Sequence, residues 1–428
     1  MAITNNCSGV NHMNMMPGLS KTETNIKLPF SFIIYSLLAF SASQIILIFS
    51  GDFLTNGAFR IPPLWMVAHL LVLGWALMVA MGAMYQLIPV AFLTPIWNEK
   101  FGFIQFGITA IGITGFALSL AFSPKLTMIT GFITLIGVLM FLYQMAMTMK
   151  KQTEKNILTA LVGTALVCLL LTILFGITLA ASVSGHLPLA NHIALLKTHI
   201  ILGVAGWFTL LIFGFSYKMV PMFSLAHGFS MKLSKPIYFL YILGLLSSII
   251  SFWSNQSIFL QLGMILLFVS FSLFVWHIKQ IINKRLKKNL DKPFIFSLVA
   301  IIIGWIMHLV AMVSSFISIS PYLFGVIIYL YIMGWIVFSI MGYLYKIVPF
   351  LWWTYKYSKE MGQPNVPTLK QLMNEKLGTI LFILCLVCLA GFAVSFSFKL
   401  AGLYMIVQLL FAVTTVVFSA TVVSILRK

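Results

Sequence analysis

The sequence predicts an all-α integral membrane protein, with twelve transmembrane helices arranged as three four-helix repeats with pseudo-threefold symmetry. Three observations lead to this fold class. Of the 428 residues, 61% are hydrophobic and only 8% are charged, which leaves too little polar surface for a water-soluble domain. The apolar residues are grouped in runs of about 20 or more. One sequence motif recurs three times at nearly constant spacing.

Twelve apolar runs, separated by short polar breaks, are each long enough to cross the hydrocarbon core of a bilayer as a helix. Residues 1–27 before them are polar and lack the apolar core of a signal peptide, so we expect a cytoplasmic disordered tail. Residues 28–425 then form a single membrane domain. The predicted spans are residues 28–49, 63–91, 101–122, 126–148, 157–183, 194–221, 236–254, 257–282, 294–317, 321–350, 377–397 and 399–425.

The basic residues predict the orientation of the chain. With a cytoplasmic N-terminus, 22 of the 26 Lys and Arg residues lie on the inner side, and the outer side keeps four: Arg60, Lys125, Lys197 and Lys399. This distribution follows the positive-inside rule, and it predicts a bacterial cytoplasmic membrane protein with both termini in the cytoplasm. The basic residues behind the net charge of +19 are then expected to contact the lipid bilayer, and no nucleic-acid partner is expected.

A Gly-Trp motif marks the three repeats. Gly-Trp is followed by six residues, Gly, two residues, Tyr, three residues and Pro, over residues 74–89, 206–221 and 334–349. The glycines allow close helix packing in lipid, and the proline marks the helix exit. Since each copy lies on the second helix of a group of four, the predicted repeats are about 28–148, 157–282 and 294–425.

Histidines inside the spans are the candidate ligands, because ionisable side chains in lipid are costly and usually functional. His69 and His199 lie near the outer third of the second and sixth spans, and His308 reaches a similar depth in the ninth. His69 is five residues before its Gly-Trp glycine and His199 is seven before its own. At about 100° per residue the two positions face about 160° apart, which suits a site between neighbouring helices. The alternative is that these rings only form hydrogen bonds between helices.

The stretch AHLLVLGWALMVAMGAMYQLIPV, residues 68–90, resembles the second-helix signature of subunit I of the haem–copper oxidases. In that signature a histidine is followed by Gly, an aromatic residue and Pro, which are here His69, Gly82, Tyr85 and Pro89. The twelve spans in three arcs of four resemble the same family over nearly the whole chain. The resemblance implies that His69 is an axial ligand of a haem, for which a b-type haem is the expectation.

The copper site of that family has no counterpart in the sequence. Gly203 stands four residues after His199, where the family has a tyrosine, and no two histidines are adjacent. The tenth span offers Tyr329 and Tyr331 in place of a His-x-His pair, and no acidic residue lies within a span. The sequence is therefore interpreted as a divergent relative rather than a complete proton-pumping oxidase. The NnrS-type proteins of the nitric-oxide response are a comparable case.

The resemblance implies a haem-binding protein of electron transfer or of oxygen or nitric-oxide chemistry and, if it is an enzyme, an oxidoreductase. Respiratory or assembly subunits are the expected protein partners. The alternatives are a transporter of copper or another small solute, suggested by 24 Met residues, and an assembly factor without a ligand. The predicted cofactor-binding residues are His69, His199, Arg60, Lys197 and Tyr329, with Arg60 and Lys197 as cations for the haem propionates. The predicted metal ligands are His69, His199 and His308.

Overall fold

The computed structural model describes residues 24–361 and 363–428. Within these ranges the chain is helical without strands, and twelve of its helices are long and apolar enough to cross a membrane. The prediction of twelve spans is confirmed, and the chain is a multi-pass helical membrane protein. The helices are α1 (Lys27–Thr55), α2 (Pro62–Phe92), α3 (Glu99–Phe122), α4 (Pro124–Lys150), α5 (Ile157–Val183), α6 (His192–Ser224), α7 (Ser234–Ser254), α8 (Ser257–Asn283), α9 (Lys292–Ser314), α10 (Pro321–Glu360), α11 (Glu375–Ser397) and α12 (Ala401–Arg427).

Two helices extend well beyond their predicted limits. Helix α1 continues to Thr55 through a short 3₁₀ turn, and α10 continues to Glu360. Seven of the last ten residues of α10 are aromatic or charged, so hydropathy alone ended this span too early. A helix does not have to stop where its apolar residues stop, because a polar end can lie in the headgroup layer.

The predicted N-terminal tail lies mostly outside the described residues, which begin at Thr24. The residues just before α1 are held in place. The Thr24 hydroxyl donates to the carbonyl oxygen of Tyr85 at 3.1 Å, and the Asn25 amide donates to Glu99 Oε1 at 2.8 Å. These bonds tie the start of α1 to the end of α2 and the start of α3.

Helices α2, α6 and α10 lie at the centre of the bundle. Each contains one of three tryptophans that are almost fully buried, Trp75, Trp207 and Trp335. In each group of four, the first helix packs on the second and the third packs on the fourth. The fourth helix packs on the first helix of the next group, and α12 closes the ring against α1.

All three central helices change from α to π geometry at the Gly-Trp motif. The π segments are Leu70–Leu77, Leu202–Thr209 and Ile332–Val337. A π turn bonds each carbonyl to the amide five residues on, is rare, and occurs frequently at functional sites. The motif therefore marks a backbone feature that helix periodicity does not predict.

The end of the bundle that carries the α2–α3, α4–α5, α6–α7, α8–α9 and α10–α11 loops is the basic end. There a buried carboxylate, Asp291, binds two ammonium groups. Lys287 donates to its Oδ1 at 2.7 Å, and Lys346 of α10 donates to its Oδ2. Asp291 therefore joins the α8–α9 loop to α10.

Asp291→Asn is expected to reduce both the stability and its pH dependence. Burial raises the pKa of Asp291, but the two ammonium groups outweigh burial and hold the pKa below its ordinary value. A lowered pKa means that the stabilisation is complete above the ordinary carboxyl range and is lost as the pH falls through the folded pKa. The variant should lose about 1–2 kcal/mol at pH 7, after allowance for solvent screening at the lysines.

Thermal unfolding in detergent, followed by tryptophan fluorescence from about pH 3 to about pH 7, measures this effect. The unfolding temperature of the wild type should fall more steeply below about pH 4 than that of Asp291→Asn. Equal pH profiles would show that the two ion pairs carry no stability.

Candidate metal centre

His69 and His199 lie at a similar depth in two central helices. Each is the eighth residue of its helix, α2 and α6, and each lies shortly before or at the edge of the π segment. At about 1.5 Å per residue, both rings lie about 10 Å below the start of their helices. The predicted common depth of the two histidines agrees with these positions.

Both imidazoles are oriented by a backbone carbonyl. His69 Nδ1 lies 2.7 Å from the carbonyl oxygen of Trp65, one turn earlier in α2. His199 Nδ1 lies 2.9 Å from the carbonyl oxygen of Thr172 in α5. A carbonyl can only accept, so Nδ1 carries the proton in each ring and Nε2 of the neutral ring keeps a lone pair. Within the described part of the chain, neither Nε2 forms a hydrogen bond.

The two rings lie next to each other across the α2–α6 interface. Their centroids are 6.5 Å apart and their planes are inclined at 32°. Two imidazoles on opposite sides of one metal, with metal–nitrogen distances of about 2.0–2.1 Å and a ring radius of about 1.1 Å, have centroids about 6.3 Å apart. The separation of His69 and His199 therefore suits one metal atom between them.

The walls of this site are apolar and tightly fitted. The Phe116 ring of α3 packs edge-on against His69, with centroids 5.1 Å apart. At Gly176 of α5, a Cβ atom would lie 3.0 Å from Cε1 of His199, so the small residue leaves room for the ring. Both histidines remain half-buried. Each ring is thus fixed on one edge while part of its surface stays accessible.

A second pair of basic residues lies at the start of α6. Arg60 Nη2 is 3.3 Å from Nδ1 of His192. His192 precedes His199 by seven residues, so both lie on nearly the same helix face, about 10 Å apart along the axis. Arg60, a predicted propionate partner, is therefore brought toward the face that carries His199. His192 is not among the predicted site residues, although its seven-residue spacing from His199 is visible in the sequence.

Three predicted site residues lie elsewhere. Lys197 is two residues from His199, so it lies on the opposite face of α6. Its Nζ is 5.7 Å from the centre of the Phe252 ring in α7. The Tyr329 hydroxyl is 3.2 Å from that of Tyr404 in α12. Among the described residues, neither Lys197 nor Tyr329 has a contact that brings it to the histidine pair.

The third residue, His308, lies in a separate polar cluster. Its Nδ1 donates to the Gly304 carbonyl at 2.8 Å, so its Nε2 accepts from the hydroxyl of Tyr241 at 3.2 Å, with that of Tyr331 at 3.4 Å. The lone pair that a metal needs is therefore engaged. His308 therefore fits the alternative interpretation, in which the ring only forms hydrogen bonds between helices.

Among the residues that the structure describes, no group of three or more His, Cys, Asp or Glu side chains could hold a metal ion. A metal at His69 and His199 would thus have two ligands from these residue types. Two axial imidazoles are also what the protein supplies to a haem iron whose other four ligands come from the macrocycle.

No protein-family model matches the chain, and no curated protein matches its sequence. The fold defines a multi-pass helical membrane protein with twelve candidate spans in its described residues. Any more specific assignment depends on the histidine pair.

Proposed function

We propose that this chain is a haem-binding membrane protein of the haem–copper oxidase subunit I type, which acts in electron transfer or in oxygen or nitric-oxide chemistry. One observation carries the proposal. Two neutral imidazoles from separate helices have ring centroids 6.5 Å apart, and Nδ1 of each donates a hydrogen bond to a backbone carbonyl. Carbonyl bonds of this kind fix the tautomer and raise the basicity of a ligating histidine.

The residues around the pair fit a haem. His69 and His199 would supply the two axial nitrogens, and a haem iron with two such ligands exchanges one electron at a time. Arg60 would provide positive charge for the propionates, and the neutral His192, whose Nδ1 accepts from Arg60, would provide an Nε2–H hydrogen-bond donor. Phe116 and the small Gly176 provide an apolar wall beside the two rings.

The proposed architecture is three four-helix repeats around a pseudo-threefold axis. It is supported by the π segments in α2, α6 and α10 and by the repeated order of helix contacts. The ends of α2 and α6 add a further similarity. Four residues after Pro89 and Pro221, Leu93 and Leu225 adopt the same left-handed conformation, with φ of 53° and 54°.

A copper-handling transporter is the second candidate function. It is favoured by the 24 Met residues of the chain, whose thioethers are soft ligands that suit Cu(I). Imidazole suits copper as well as iron, and a weakly coordinated ion between two half-buried rings can be released. Transport of this kind would need no haem.

The test is an absorbance spectrum with metal analysis of the protein purified from its membrane. A Soret band with iron close to one per chain supports haem binding. Copper without a chromophore supports the transporter. Protein that carries neither, even after reconstitution with haem or copper, would contradict both functions and favour an assembly role.

The proposed orientation places residues 279–292 in the cytoplasm and residues 184–191 outside. The expectation follows from the charge asymmetry between the two sides. Single cysteines introduced into each segment, in a background without native cysteines, would be treated with a membrane-impermeant thiol reagent in intact cells. The cysteine in 184–191 should react and that in 279–292 should react only after lysis. The reverse pattern would overturn the orientation.

A further inference from the structure

A cavity of about 330 Å³ lies at the basic end of the bundle, between α10, the start of α9 and the α10–α11 connection. None of the residues that line it belongs to the histidine site. Three lysines face it, Lys287, Lys346 and Lys370, together with the carboxylates of Asp291 and Glu375. A short helix, Leu369–Leu372, forms part of the wall.

The Asp291 carboxylate places two of the three ammonium groups. Its side chain is only 7% exposed and one oxygen binds each lysine, Lys287 and Lys346. An ammonium group has three N–H donors, and each of these lysines uses one on Asp291. The other N–H groups of Lys287 and Lys346 are therefore held at the cavity wall. These two side chains are already ordered by Asp291, so they lose little conformational entropy when an anion binds.

The charges favour an anion over a cation. Both oxygens of Asp291 are already occupied by ammonium groups, so this carboxylate is a poor ligand for a metal ion. Three lysines against two carboxylates leave the lining with a net positive charge. Lys370 forms neither of the two ion pairs in the described part of the chain, and its side chain is exposed.

Most of the remaining lining residues are apolar, and two, Tyr345 and Thr368, carry hydroxyl groups. Phe350 of α10, Leu369 and Met373 contribute side chains to the same cavity. A small inorganic anion would contact only the lysines. A phosphate attached to a carbon skeleton can contact the lysines through its oxygens and the apolar side chains through its carbon atoms. Lysine is a common phosphate ligand, and basic pockets at the cytoplasmic end of transmembrane helices bind lipid headgroups.

We propose that this cavity binds an organic phosphate through Lys287, Lys346 and Lys370. The phosphate belongs either to the headgroup of an anionic phospholipid or to a soluble phosphate ester. The site is independent of the proposed haem function, because it shares no residue with it.

The experiment uses the full chain purified in a neutral detergent. Two probes are titrated, phosphatidylglycerol in mixed micelles and glycerol 1-phosphate in solution, with phosphatidylcholine as the zwitterionic control. Native mass spectrometry counts the bound probe, and the unfolding temperature reports stabilisation. The variants are Lys370→Gln and Lys288→Gln. The second removes the same charge from an exposed position in the basic α8–α9 loop that does not line the cavity.

We expect saturable binding of at least one phosphate probe by the wild type and none of phosphatidylcholine. Lys370→Gln should weaken it at least fivefold, and Lys288→Gln less than twofold. Binding of phosphatidylglycerol alone identifies a lipid headgroup as the source, and binding of glycerol 1-phosphate identifies a soluble ester. Equal losses in both variants would mean a diffuse surface charge and would overturn the proposal, as would the absence of saturable binding to either probe.

Discussion

Alanine at either His69 or His199 is expected to remove the bound haem, or the metal that takes its place. Each variant deletes one of only two proposed axial ligands. Loss of a group that merely orients a metal ligand lowers affinity about 10–100-fold, so loss of the ligand itself should reduce occupancy at least tenfold. Soret absorbance per chain and iron content measure the effect. Expression and membrane insertion should stay at the wild-type level, because the half-buried rings are not part of the main core.

The matched controls are two other histidines in helices. His277→Ala should leave the spectrum unchanged, since its Nδ1 is 3.1 Å from the Tyr217 hydroxyl and its Nε2 donates to the Ser230 carbonyl at 2.8 Å. His308→Ala should also keep the haem, because Tyr241 engages its Nε2. A spectrum that survives both His69→Ala and His199→Ala would refute the site, and its loss in His308→Ala would transfer the assignment to that ring.

Gly112→Ala should destabilise the protein strongly for so small a change. Gly112 of α3 packs against α4, and a Cβ atom there would lie 2.6 Å from the backbone nitrogen of Thr134 and 2.8 Å from its Cα. Backbone atoms cannot rotate away as a side chain can, so the two helices must separate. Overpacking of this kind costs about 1–3 kcal/mol, and thermal unfolding in detergent should show a fall of several degrees.

Gly107→Ala in the same helix is the control. A Cβ atom at Gly107 meets nothing within 4 Å, so the substitution adds no clash. Alanine is about 1 kcal/mol better than glycine in a helix interior, and this variant should be neutral or slightly more stable. If both alanine variants unfold at the same temperature, the close α3–α4 contact does not stabilise the bundle.

Much of the architecture could be predicted from the sequence, because lipid imposes simple rules on helix length and on the placement of charge. The pairing of His69 with His199 could also be anticipated, since the helical offset from a shared Gly-Trp motif places the two positions on opposite faces. No comparable pattern in the sequence predicts the π geometry of the three segments. It depends on a local change of hydrogen-bond register that hydropathy and spacing do not record.

Two predicted site residues, Lys197 and His308, lie away from the His69–His199 pair for the same reason. Lys197 is close to His199 along the chain, but two residues on a helix correspond to about 200°, and its ammonium group lies near Phe252 instead. His308 has the expected depth but faces two tyrosines. Depth can be estimated from position within a span, whereas direction depends on which neighbouring helix packs against each face.

The central helices are not joined equally. Helices α6 and α10 share three side-chain hydrogen bonds: Tyr331 to Thr209 at 2.9 Å, Trp335 to Thr209 at 3.0 Å and Ser216 to Tyr343 at 2.8 Å. In the described residues, no side-chain hydrogen bond joins α2 to either of them, and the buried indole N–H of Trp75 has no acceptor. Within these described ranges, direct polar contacts therefore join α6 to α10 but not α2 to either of them. An atom bound by both His69 and His199 would be a polar crosslink between α2 and α6 that the side chains themselves do not supply, so the bundle would be stiffer with its ligand than without it.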